Sequence, residues 1–263
     1  MPSPDTNGAL TLIPVTGVGE VQPGDDLAAL LAAALRLVPV GTSSGDRPGG
    51  VEGGTPAVEA GLRDGDVLVV TQKVVSKAEG RLVAVGRDDP DAVRALIESE
   101  SVRVLRRRGD LLITETRHGF VCANAGVDLS NVDEGTAALL PVDPDRSARR
   151  LRQSFEHCFS VSVGVIISDT FGRTWRQGVT DVAIGVAGVA AVVDLRGEPD
   201  ANGRILMATE VCVADEMAAA AELVMGKARR TPAAVVRGVD PAWLRPSSVA
   251  SEVIRAPGED LFR

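Results

Sequence analysis

The residues of this chain best suited to chemistry are Asp128, Asp169 and Thr170. Ser168, Asp169 and Thr170 close an apolar, β-branched run from Val163 to Ile167, and Gly172, Arg173 and Arg176 follow at once. A carboxylate at the mouth of a buried strand, with cations beside it, is an arrangement for holding a metal ion and an anionic phosphate together. An isolated Asp-Thr at a strand end is more ordinarily a turn cap. The rest of the sequence favours the chemical reading. Asp128 and Asn131 bracket a turn after Gly126 and offer one carboxylate and one amide; Glu210, set among apolar residues, is a weaker further candidate. These donors are all oxygens without Cys or His partners, which suits Mg²⁺ or Mn²⁺ and not zinc. Magnesium is typically held by one or two carboxylates together with water and substrate phosphates, so few protein ligands suffice. Lys77, Arg173 and Arg176 then neutralise phosphate charge. Lys73 and Lys77, four apart, converge if their segment is helical, although a lysine pair alone is most often solvated.

The elements that must position these groups are readable from periodicity. Leu10–Val15, Val67–Thr71, Phe120–Ala125, Val163–Ser168, Val182–Val193, Leu206–Ala214 and Ala233–Arg237 read as strand-like runs. Val102–Leu105 and Leu111–Glu115 flank the basic turn Arg106–Asp110, which predicts a hairpin with a solvated tip. Helices are predicted over Leu27–Leu37, Asp91–Ser99, Asp145–His157 and Asp215–Lys227, with a short helical turn at 57–62. Asp215 and Glu216 are placed as acidic residues of a first helical turn. Residues 1–8 read as a loose tail and 42–54, rich in Gly, Ser and Pro, as a flexible insertion. Strands and helices alternate irregularly, which predicts a mixed α/β (α+β) fold with substantial antiparallel pairing.

Composition narrows the function. With 44% apolar and 24% charged residues, the 263-residue chain has an ordinary globular balance. Only 3% is aromatic and there is no Tyr, so the core is aliphatic and base stacking is disfavoured. A net charge of -8 opposes a nucleic-acid partner. Three widely spaced cysteines form no metal or redox pair. Without a leader or an apolar run of membrane-spanning length, a soluble cytoplasmic protein is expected. His118 and Cys122 read as structural residues.

Familiar nucleotide devices fail. Gly17-Val18-Gly19 lacks the third glycine of the dinucleotide fingerprint, since Gln22 stands there. Gly226-Lys227 lacks the first glycine of a phosphate loop, where Ala221 stands, and no G-x-S-x-G occurs.

The segments Thr71–Leu82, Arg117–Val132, Ser168–Val189 and Ala208–Lys227 closely resemble the coenzyme F(420)-0:γ-glutamyl ligase family. The most specific pieces are His118 to Gly126 and Asp169 to Arg173, and the resemblance runs from about Ile13 to Phe262. It implies a single γ-glutamyl ligase domain over 9–263, with room for two subdomains, in an intertwined homodimer. It implies a GTP-dependent ligase joining L-glutamate to the lactyl carboxylate of F(420)-0, with two divalent ions, Mg²⁺ or Mn²⁺. Carried over by motif, Asp128 and Asp169 hold one ion and Thr170 a second. Val18, Gly19, Glu20, Val21, Gln72, Lys77 and Asn131 contact GTP. Arg173, Arg176 and Glu210 are additions from charge. Bifunctional relatives continue into a nitroreductase-like domain; this chain ends at Arg263, and no flavin chemistry is expected. The competing readings are an amide ligase for another acid and a non-catalytic protein that binds the F(420) precursor.

Overall fold

The chain's first described strand is Thr11–Val15 (β1), after which Asp26 caps the helix Leu27–Leu35 (α1), its carboxylate accepting from the Ala29 amide at 3.0 Å. The computed structural model describes residues 8–37, 61–86, 89–130 and 132–260. The expected insertion at 42–54, residues 1–7 of the expected tail and residues 57–60 of the expected turn lie outside them. Val67–Thr71 (β2) runs directly into Gln72–Ala78 (α2), and Leu82–Ala84 (β3) follows. Asp89 then caps Pro90–Ser99 (α3). Ser101–Arg108 (β4), Leu111–Thr116 (β5) and Val121–Ala123 (β6) form a three-stranded antiparallel sheet, and Thr136–Ala138 (β7) pairs with β3. The predicted basic hairpin is therefore present, with Arg106 to Arg108 inside its first strand.

Asp143 caps Pro144–Phe159 (α4), which leads to the long hairpin Gly164–Arg173 (β8) and Arg176–Ala187 (β9). Val193–Asp194 (β10) pairs with Glu210–Val211 (β11). Val213–Met225 (α5), Ala233–Arg237 (β12) and Val249–Glu252 (α6) complete the chain. Three expectations change here. The strand expected over Val182–Val193 spans Arg176–Ala187 instead, with Val193 in the separate β10. The strand at Asp169 continues to Arg173 and turns back, because cross-strand pairing with β9 satisfies its backbone well past the apolar run. The run expected as a strand over Leu206–Ala214 is extended only at Glu210–Val211, and α5 begins at Val213.

The central sheet has the order β1-β12-β2-β8-β9, and only β2 and β8 are parallel. The fold is mixed α/β with predominantly antiparallel pairing. α4 and α5 pack on β9, and the core is aliphatic, with Phe155 its largest fully buried side chain. The buried Asp145 carboxylate ties three elements: one oxygen accepts from the Val186 and Val249 amides at 2.9 Å each, the other from Ala250 at 3.1 Å. Asp66, also buried, accepts two bonds from the Arg237 guanidinium at 2.8 and 2.6 Å, fastening the end of β12 to the start of β2.

No helix among the described residues is long and apolar enough to cross a membrane. Gly185 on β9 permits the approach of α4: a Cβ there meets the Pro144 carbonyl carbon at 2.4 Å and its oxygen at 2.5 Å. These are backbone atoms that no side-chain rotation relieves. Gly185→Ala is expected to lower stability by about 1–3 kcal/mol. Urea unfolding tests this through a lower midpoint at unchanged slope.

Candidate metal and phosphate site

The parallel pairing of β2 and β8 builds the site. Its register sets Thr71, the last residue of β2, beside Ser168, so the parallel pairing stops there and α2 starts next to Asp169 while β8 runs on to Arg173. The carboxyl ends of parallel strands are where open α/β sheets bind ligands. The two lysines of α2 diverge. Lys73 Nζ lies 2.7 Å from the Asp128 carboxylate and donates to the Ser130 carbonyl and hydroxyl, each at 2.9 Å. Lys77, nearly buried, pairs with Glu20 in the loop before α1. The expectation of a solvated pair is thus replaced by two anchored ammonium groups.

Asp128 is presented by an unusual backbone. Asn124, Ala125 and Gly126 have φ of 51, 53 and 70°, three successive left-handed residues. For Asn and Ala this conformation stores strain, of order 1 kcal/mol or more each. The turn is held by side chains: Asn124 Oδ1 accepts from the Leu112 amide at 2.9 Å, and Thr114 Oγ1 from the Ala125 amide at 3.0 Å. Beyond it, Asp128 bridges Ala138 through paired backbone bonds, and its Oδ1 accepts from the Ser130 amide at 2.7 Å. Lys73 and Ser130 hold its carboxyl below the usual range, although burial acts the other way.

On one face of the β8–β9 ladder, Asp181 lies opposite Thr170 and is only 2% exposed. It accepts from Thr170 Oγ1 at 2.6 Å, Ser168 Oγ at 3.1 Å and Lys227 Nζ at 2.9 Å. Lys227 also contacts Thr170 Oγ1 directly and lies 3.4 Å from Glu222. Because Thr170 gives its proton to Asp181, its lone pairs are free to serve a cation, here the ammonium.

Asp169 points to the other face. Among the described residues it has no ion pair. Burial, with the negative charges of Asp128 and Asp181, pushes its carboxyl up to about 7, against the Thr170 amide and the Lys227 charge. Asp128 and Asp169, distant in sequence, therefore lie within electrostatic reach. Cys122, buried close to Asp169, has its thiol pushed up to about 12 by burial and that charge, so it stays protonated and is no nucleophile. His118 is structural, with Nε2 3.0 Å from the Pro141 carbonyl and its ring stacked on Phe120.

A buried carboxyl within electrostatic reach of a second carboxylate, with a hydroxyl on the next residue of the strand, supplies oxygen donors of the kind a hard divalent ion takes. Among the described residues no three His, Cys, Asp or Glu side chains converge, so phosphate and water oxygens must complete such a site. Asp128, Asp169 and Thr170 are the residues that would hold the ions.

The remaining predicted residues are more scattered. Glu20 meets Lys77, whereas the Val21 side chain is buried in the core. Val18 is partly buried against the core and Gly19 is exposed in the same loop. Gln72 is buried, its amide oxygen accepting from Ser76 at 2.8 Å. Asn131 lies outside the described residues. Arg173 and Arg176 were expected beside Asp169. They occupy the exposed hairpin tip instead, about 13 Å farther along at ordinary strand rise, with Arg173 donating to the Gln177 carbonyl at 2.8 Å. Glu210 is on the β10–β11 ribbon, 3.2 Å from Arg196. Sequence reading missed Asp181 and Lys227. The signal for the first was an acid abutting the apolar run at Val182, and for the second a lysine directly after a helix-closing glycine.

Ammonium groups and oxygen donors are thus gathered where the β2–β8 pairing stops. A profile of the F(420)-0:gamma-glutamyl ligase family matches residues 17–238. The chain is 40% identical over 270 residues to the coenzyme F(420):L-glutamate ligase of Methanothermobacter thermautotrophicus, covering 97% of this chain and 99% of that protein. It is 44% identical over 246 residues to the Methanopyrus kandleri protein of the same name, covering 87% and 98%. The Archaeoglobus fulgidus counterpart is 38% identical over 268 residues, covering 96% of each chain. The chain belongs to the F(420)-0:gamma-glutamyl ligase family.

The raised Asp169 carboxyl makes a signed prediction. Between its ordinary value of 3.8 and about 7, the folded metal-free protein retains a proton that the unfolded chain has released. Stability attributable to this group therefore falls as pH rises through that window. Denaturant unfolding in chelator should show Asp169→Asn gaining on the unsubstituted protein as pH increases, with the difference levelling above about 7. Asp181→Ala, which unpairs three donors, is expected to cost about 1–3 kcal/mol in the same assay.

Proposed function

We propose that this protein is a GTP-dependent ligase that forms an amide between L-glutamate and the lactyl carboxylate of F(420)-0, then adds further γ-linked glutamates. What supports this reading is the placement of Asp169 and Thr170 where the β2–β8 pairing stops, with Asp128 within electrostatic reach of Asp169, in a chain matching its named relatives nearly end to end. The reading places GTP along α2 and the Val18–Val21 loop, with Lys77 and Lys73 neutralising phosphate oxygens. Asp128, Asp169 and Thr170 hold two divalent ions, Mg²⁺ or Mn²⁺. When bound, these ions screen phosphate charge against an incoming carboxylate, a repulsion that otherwise opposes the reaction.

A carboxylate is a poor electrophile, so the reading includes an activation step. A carboxylate oxygen of F(420)-0 attacks the γ-phosphorus, GDP leaves, and the glutamate amine displaces phosphate from the acyl carbon. Asp181 fixes the Thr170 hydroxyl by accepting its proton and holds Lys227 at the same edge. A homodimer in the cytoplasm belongs to the same reading. Exposed Trp175 and Val179 on the β8–β9 hairpin offer apolar surface to a second copy, and three unpaired cysteines suit a reducing compartment.

Mass spectrometry of F(420)-0 incubated with GTP, L-glutamate and Mg²⁺ or Mn²⁺ is expected to show glutamyl products matched by GDP. With both oxygens of the F(420)-0 carboxylate labelled by oxygen-18, one label should appear in the released phosphate and the other stay in the amide; loss of the first to water, with unlabelled phosphate, refutes the acyl phosphate. Asp169→Asn should abolish turnover with an unchanged circular dichroism spectrum.

A further inference from the structure

Beside the site lies a cavity of about 260 Å³ that the preceding chemistry leaves unused. Phe171 and Val182 form one wall. Val182 stands directly opposite Asp169 in the β8–β9 ladder, and Phe171 is two residues beyond it, so both share the face that Asp169 presents. Phe120, in edge contact with Phe171, and Ile254 close the apolar part. Two charged groups complete the lining, Asp215 from the first turn of α5 and Arg255 from the segment after α6.

These charges do not satisfy each other. The Asp215 carboxylate accepts from the Ala183 amide at 2.8 Å and is hydrogen-bonded by the Cys212 thiol, but among the described residues no cation pairs with it. Arg255 is exposed and pairs with no carboxylate among the described residues. A cavity with an uncompensated anion, an uncompensated cation and an aliphatic-aromatic floor is complementary to a zwitterion with a short methylene stem.

We propose that this cavity receives the amino-acid substrate, its ammonium group against Asp215, a carboxylate on Arg255 and its methylenes over Phe171 and Val182. The inference rests on the ligase reading and adds to it the location of the nucleophilic partner. Size decides against the other acid: pockets for drug-sized ligands run to about 300–1,000 Å³, so this cavity suits a small metabolite better than a tricyclic phosphodiester. The position also serves the reaction, since the amine is brought to the face of β8 that carries Asp169.

Arg255→Ala and Asp215→Asn test the assignment. Arg255 is exposed, so its replacement should preserve the unfolding midpoint. Each variant is expected to raise KM for L-glutamate ~10-fold or more while KM for GTP and F(420)-0 moves less than ~2-fold. A rise in KM for F(420)-0 instead, or no change in either, overturns the proposal. Calorimetric titration of L-glutamate into protein loaded with Mn²⁺ and a non-hydrolysable GTP analogue gives a readout independent of turnover. Binding by the unsubstituted protein that weakens in Arg255→Ala supports the cavity assignment even if no ligation is detected, whereas equal binding by both proteins overturns it. Absence of glutamyl product from the unsubstituted protein counts against the ligase reading alone.

Discussion

The parallel register of β2 on β8 is the constraint from which the site follows. With Thr71 set beside Ser168, the lysine-bearing helix and the Asp169–Thr170 pair emerge at one edge of the sheet. Side chains alternate along a strand, so a slip of one residue exchanges its two faces. Asp169 and Phe171 then turn toward the side where Asp181 waits, and the hydroxyls of Ser168 and Thr170 lose their buried acceptor. The register is held by an aliphatic core on β2 and β8 and by β9, whose pairing reaches to Arg176. Packing and chemistry are coupled through this one alignment.

Charge at the edge is arranged as a managed conflict. Asp128, Asp169 and Asp181 repel one another, and two tethered ammonium groups, Lys73 and Lys227, offset part of that repulsion. Neither lysine forms an ion pair with Asp169, whose carboxyl is pushed up by burial and by its acidic neighbours. Binding a cation at such a place releases strain that the folded chain already carries. The left-handed run from Asn124 to Gly126 adds a conformational load of the same kind, held by Asn124 and Thr114 side chains rather than by regular pairing.

Much of this was legible before any coordinates. Aliphatic runs announced β2 and β12 to the residue, Asp26 and Gly226 bounded their helices, and the irregular order of elements implied mixed pairing. The limits of legibility are physical. Apolar periodicity marks where a strand is buried, so it ended the β8 reading at Ser168, although backbone pairing carries the strand on to Arg173. That misplaced Arg173 and Arg176 beside the carboxylate. The role of Asp181 was hidden for a related reason: its partners lie across the strand pair and just past the end of α5, and register is not written in local sequence. Lys227 is 46 residues from Asp181, a separation that no spacing rule covers.

The β8–β9 tip also equips the molecule with an optical signature. The chain has no tyrosine and only two tryptophans. Trp175 is 89% exposed at the turn, whereas Trp243 packs partly against the core. Ultraviolet emission thus divides between an indole bathed in solvent and one sheltered by aliphatic side chains. A soluble quencher such as iodide extinguishes the first preferentially, and anything that covers the hairpin blue-shifts and protects it. Contacts made at this tip can be followed in the unlabelled protein.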